Sequence, residues 1–82
     1  MKRVRYLPAA QRALLRHRAE APRVMEKIAA YARDPRSQAN NVKRLKGRHF
    51  LRLRVGDFRV LFVEDRESIQ VIDIGPRGSI YD

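Results

Sequence analysis

The chain has 82 residues, enough for one modest hydrophobic core and no second, so residues 1–82 are expected to form a single domain. With 44% hydrophobic and 34% charged residues it is not of the disordered class, yet little of its surface is left uncharged. Nineteen Lys and Arg against nine Asp and Glu give a net charge of +10, a field that favours a polyanion: nucleic acid first, with an anionic membrane or an acidic protein as rivals.

Cysteine is absent, which removes disulfides, thiolate chemistry and cysteine-based zinc sites. No stretch reaches the roughly 18 apolar residues of a membrane span, and the basic start leads into polar residues rather than an apolar signal core. A cytoplasmic protein without a membrane partner is expected.

Residues 2–7 alternate basic and apolar, with Val4 and Tyr6 on one side and Arg3 and Arg5 on the other, as a half-buried strand does. Pro8 then suits a first helical turn, and the helix it opens carries Ala10, Ala13 and Leu14 as a narrow apolar stripe. Pro22 opens a second helix with Val24, Met25, Ile28, Tyr31 and Ala32 at helical spacing, ended by Asp34 and Pro35. The pair is expected to form an antiparallel helical hairpin.

Residues 36–48 are polar and read as a surface loop pinned by Val42 and Leu45. Residues 49–55 alternate strictly, with Leu51, Leu53 and Val55 on one face and Phe50, Arg52 and Arg54 on the other. Gly56 and Asp57 form a two-residue link of type II′ to a strand that is apolar on both faces, and a turn at 65–68 leads to a last one. The predicted fold class is α+β: an N-terminal strand, a helical hairpin, then a three-stranded antiparallel meander.

Positive charge is concentrated locally. Between Arg36 and Arg59 stand eight basic residues (Arg36, Lys43, Arg44, Lys46, Arg48, Arg52, Arg54 and Arg59) and one acid, Asp57. The plain alternative is a solvated strand face. If the patch cuts RNA, an internal 2′-hydroxyl must attack the adjacent phosphorus. A base then takes its proton, cations hold the equatorial oxygens and an acid protonates the leaving oxygen. His17 and His49 lie on different elements and the acids are scattered, so no metal-ligand spacing is evident and metal-free chemistry without a cofactor is favoured. Arginine stabilises charge but cannot act as the base. Tyr81 and His49 are the titratable candidates, the alternatives being an aromatic docked on the core and an ordinary strand-start histidine.

Three blocks, 42–47, 50–62 and 74–81, resemble in order the RelE branch of the RelE/ParE toxin superfamily, whose pattern is roughly LKG, then YRLRVGDYRVIY, then IGHRxxVY. The resemblance implies a RelE-like microbial RNase fold and a ribosome-dependent endoribonuclease that cleaves mRNA without metal. Carried over residue by residue, it places the catalytic groups at Arg52, Arg54, Arg59, Arg77 and Tyr81. Lys46, with Lys43, Arg44 and Arg48 in the same basic run, is a contact for mRNA or ribosomal RNA. Arg59 and Arg77 would hold the scissile phosphate, Arg52 or Arg54 would stabilise charge, and Tyr81 would transfer a proton or stack on a base. Among the departures, arginine stands in the central strand where some active relatives have lysine, and Pro76 stands where many have histidine. An ion pair of Arg77 with Asp73 or Asp82, and a surface charge at Arg59 beside Asp57, are the plain alternatives for those two residues.

The resemblance also implies a cognate antitoxin that folds on binding, with an amphipathic helix in an apolar groove and acidic groups over the basic face. Two rival functions remain. ParE-like relatives poison DNA gyrase from the same scaffold, and a non-catalytic basic module would bind nucleic acid with steep salt dependence and form no product.

Overall fold

A computed structural model describes residues 1–45 and 49–80. In chain order the elements are strand β1 (Arg3–Tyr6), helix α1 (Pro8–Arg16), helix α2 (Ala21–Arg33), a 3-10 helix (Pro35–Asn41), and strands β2 (Val42–Arg44), β3 (Leu51–Val55), β4 (Phe58–Glu64) and β5 (Ser68–Pro76). They form one five-stranded sheet in the order β1-β5-β4-β3-β2. β1 pairs parallel with β5, and every other pair is antiparallel.

Both helices cover the same face of this sheet. Ala10 and Ala13 of α1 are 0% and 1% exposed, and such small side chains let the helix backbone approach the strands closely. From α2, Val24, Ile28, Tyr31 and Ala32 join Leu51, Leu53, Val55, Phe58, Val60, Phe62, Ile69, Val71 and Ile74 in one cluster. Pro8 and Pro22 sit in the first turns of their helices, where the missing N–H removes no helical hydrogen bond. Met25, assigned by spacing to the buried stripe, is 42% exposed instead. The buried positions follow the steps from Val24 to Ile28 and Tyr31, and Met25 lies about 100° further round.

Two elements occupy the described part of the loop expected at 36–48, as far as Arg44. Asp34 is extended and its Oδ1 accepts the Arg36 N–H, so the residue expected only to end α2 also caps a 3-10 helix that begins at Pro35. β2 then pairs Val42, Lys43 and Arg44 with Leu53, Arg52 and Leu51. The meander therefore has four strands, and β1 completes the sheet at the far edge beside β5. The expected pins hold the segment down: Leu45 is buried and Val42 packs against the core.

The turns carry the predicted chemistry. Gly56 has a φ of +57° while Asp57 does not enter the positive region, the combination a type II′ link uses. In the turn before β5, Asp65 accepts hydrogen bonds from the Glu67 N–H, the Ser68 N–H and the Ser68 hydroxyl. The backbone bonds, from Glu67 first, stabilise the ionised carboxylate and lower its pKa below the usual value.

A polar clasp closes the helix-covered side. Glu64 at the end of β4 accepts Lys2 Nζ at 2.8 Å and the Tyr31 hydroxyl at 2.7 Å, joining the start of the chain, α2 and the sheet. Burial, followed by the hydrogen bond to Glu64, pushes the Tyr31 phenol above its ordinary pKa. A pKa raised in the folded state gives stability that is complete below the unfolded value of about 10 and is lost as pH rises beyond it. Tyr31→Phe should therefore be less stable than the parent at pH 7, with the difference shrinking above about pH 10 in urea melts.

Candidate nucleic-acid interface

The strand alternation that buries Leu51, Leu53 and Val55 turns Arg52 and Arg54 to the other face, which no helix covers. Register extends that face across the sheet. Lys43 of β2 is opposite Arg52, Arg52 is opposite Leu61, Arg54 is opposite Arg59, and Arg59 is opposite Gly75. Arg3 and Arg5 continue it on β1 beside Ser68 and Gln70. Leu61 and Val63 form an apolar strip within this basic surround.

A bulge in β5 decides which residues reach the site. Between Leu61 and Phe62 of β4 the partner steps from Asp73 to Val71, leaving Ile72 as the extra residue. Ile69 and Val71 therefore share the buried face with Ile74, while Asp73 and Gly75 come to the open face. Asp73 turns its Oδ1 back to accept the Ile74 N–H at 2.8 Å.

The sequence-predicted residues occupy different settings. Arg52 is half-buried, and Arg54 is exposed with Nη2 donating to Asn41 Oδ1 at 3.3 Å. Arg59 is buried, only 7% exposed, and its Nη1 donates to the carbonyls of Gly56 and Phe58, each at 3.1 Å. It thus braces the hairpin turn, which a surface charge would not do.

Arg77 is exposed just beyond β5. Its backbone N–H donates to the Asp57 carbonyl at 2.6 Å, tying the C-terminal turn to the β3–β4 hairpin. Among the described residues its side chain forms no ion pair, with Asp73 or any other acid. Lys43 lies on the open face, whereas Arg44 is opposite Leu51 on the helix side, where its charge acts on Tyr31. Tyr81, Lys46 and Arg48 lie outside the described residues. His17 stacks edge-on against Phe58, with ring centroids 5.0 Å apart, and His49 is exposed. Among the described residues there is no group of three or more His, Cys, Asp or Glu able to hold a metal ion.

Two features escaped sequence reasoning. The local excess of basic residues included Arg59 but gave no sign of its burial. Gly75 had no signal beyond its position in the last block, and the bulge that orients it is set by pairing rather than by local pattern.

The family model for the ParE toxin of type II toxin-antitoxin systems matches residues 4–81. The chain belongs to the RelE/ParE toxin family. This toxin shares its fold with a chain of the archaeal RelE-RelB complex from Pyrococcus horikoshii OT3. The TM-score is 0.76 at 24% identity, covering 96% of this chain and 98% of the other. It is also similar to a chain of the RelBE2 toxin-antitoxin complex from Mycobacterium tuberculosis, with a TM-score of 0.63 at 21% identity, covering 93% and 98% respectively. No curated protein matches. Among the described residues, no helix of the toxin is long and apolar enough to cross a membrane.

The setting of Arg59 makes it separable from its neighbours by stability. Arg59→Met should cost about 1–3 kcal/mol by leaving the buried Phe58 carbonyl and the part-buried Gly56 carbonyl without this donor. Arg54→Ala should stay within about 0.5 kcal/mol of the parent. Urea denaturation of the two variants checks both values.

Proposed function

We propose that the toxin is an endoribonuclease that cleaves mRNA on the ribosome by attack of the 2′-hydroxyl on the adjacent phosphate, with arginines in place of a metal. The observation that carries this reading is one sheet face on which Arg52, Arg54 and Arg59 border an apolar strip, with the Arg77 backbone tied to the same hairpin. Such a face suits a single strand of RNA, since the strip accepts bases and the guanidinium groups accept phosphates.

The division of labour follows from setting. Arg59 is anchored by two carbonyls, so its charge is pre-oriented and needs no rearrangement as the phosphorane forms. Arg77 holds the same phosphate from the turn. Arg52 and Arg54 stabilise the charge that develops on the oxygens, and Tyr81 takes or gives the proton. Lys43, Lys46 and Arg48 hold flanking nucleotides or ribosomal RNA.

The same charge calls for an inhibitor. In both similar structures the toxin is in complex with its antitoxin. A cognate antitoxin here would fold on this chain and bring acidic groups over the open face.

The family model favours a second reading, because it is that of ParE. A gyrase poison on this scaffold would arrest growth and leave mRNA intact.

Primer extension on a reporter mRNA after brief induction separates the two. Wild type should give new 5′ ends within translated codons. Arg77→Ala and Tyr81→Ala, at matched folded protein, should reduce them by a factor on the order of 100. Intact mRNA together with growth arrest and blocked gyrase supercoiling would replace the ribonuclease reading by the second one.

A further inference from the structure

We propose that Gly75 is a positioning residue: the side chain it lacks leaves the space in which the C-terminal turn at 76–80 seats itself over the open face, and that seating sets Arg77. The turn folds back on the strand that precedes it. Ser79 donates to the Pro76 carbonyl through its N–H at 3.0 Å and its hydroxyl at 2.8 Å, and Arg77 bridges to Ile80. Ile80 is only 7% exposed, so the turn is packed rather than loose.

What it packs on is the space above Gly75. A Cβ built there would lie 2.5 Å from Ser79 Oγ, 3.1 Å from Ile80 Cγ1 and 3.2 Å from Ile80 Cδ1. The first distance is far inside van der Waals contact. Rotating the hydroxyl away would break its bond to Pro76. The requirement is one of space alone, since Gly75 is not among the positive-φ glycines and alanine fits its backbone.

Geometry links this space to the site. Gly75 pairs with Arg59, and the turn it admits carries Arg77, whose N–H holds the Asp57 carbonyl in the hairpin that Arg59 braces. A methyl group at 75 lifts the turn and loosens that clip, moving the Arg77 charge relative to Arg59. The catalytic half of this inference rests on the ribonuclease reading; the seating half does not.

The test uses the full chain, with exchange of the Arg77 amide compared with core amides at Val60 and Val71. Gly75→Ala should speed Arg77 exchange by about tenfold, as loss of one backbone hydrogen bond does, and leave the core amides unchanged. Ser79→Ala alone should behave as wild type. Added to Gly75→Ala, it removes the closest obstacle and should return Arg77 protection. On ribosome-bound mRNA, Gly75→Ala should lower kcat by up to about a hundredfold with KM little changed, since an ångström of misplacement suffices for that loss.

Arg77 protection unchanged in Gly75→Ala overturns the proposal, as does equal loss of kcat in Ser79→Ala. If Gly75→Ala does not fold, the double variant decides: folded with Arg77 protected supports the seating, and folded with Arg77 unprotected, or unfolded, overturns it. Should wild type cut no mRNA, the ribonuclease reading fails while the exchange result still settles the seating.

Discussion

Helices cover one face of the sheet and leave the other to solvent and the turn at 76–80, and the alternation in β3 ties the two faces together. Leu51, Leu53 and Val55 are buried beneath α2, so Arg52 and Arg54 must emerge opposite. A slip of one residue would drive two guanidinium groups into an apolar core, a cost of several kcal/mol for each unpaired charge. The Gly56 turn fixes the register with β4, and with it the pairing of Arg54 with Arg59. The basic face is thus held in place by the same contacts that stabilise the fold.

A backbone hydrogen bond joins the β3–β4 hairpin to the turn that follows β5. The Ile72 bulge switches the parity of β5, so that Gly75 faces the side it would otherwise turn from. Arg77 then meets Asp57 through its N–H, and Arg59 meets Gly56 and Phe58 through its guanidinium. The first of these bonds brings the turn after β5 to the hairpin, and the other two fix Arg59 within that hairpin, at one corner of the open face. An arginine anchored this way loses little entropy when it meets a phosphate, because its rotamers are already fixed.

Much of this was legible in the sequence because it rests on period and turn chemistry. Strict alternation at 49–55, glycine at 56 and proline at the two helix starts each have one local solution. β2 was not legible: three residues of a polar segment become a strand only because β3 offers an unpaired edge and Val42 and Leu45 can be buried. The 3-10 helix has no separate signal, because Asp34 and Pro35 read as a stop and the same pair also makes an N-cap and first turn. The burial of Arg59 and the space above Gly75 arise from tertiary packing, which no window along the chain records. Arg44 shows the limit of charge counting, since it belongs to the basic run yet lies on the helix side of the sheet.

An arginine-rich sheet face suits chemistry in which the substrate supplies its own nucleophile and the protein supplies orientation and charge. The most direct test of that account is a ribosome-bound mRNA carrying a single 2′-deoxy nucleotide immediately 5′ of the mapped cleavage position. The toxin should cut the unmodified message there and leave the substituted one intact at that bond. Cleavage of the deoxy message at the same bond would show that the 2′-hydroxyl is not the nucleophile and would contradict the mechanism.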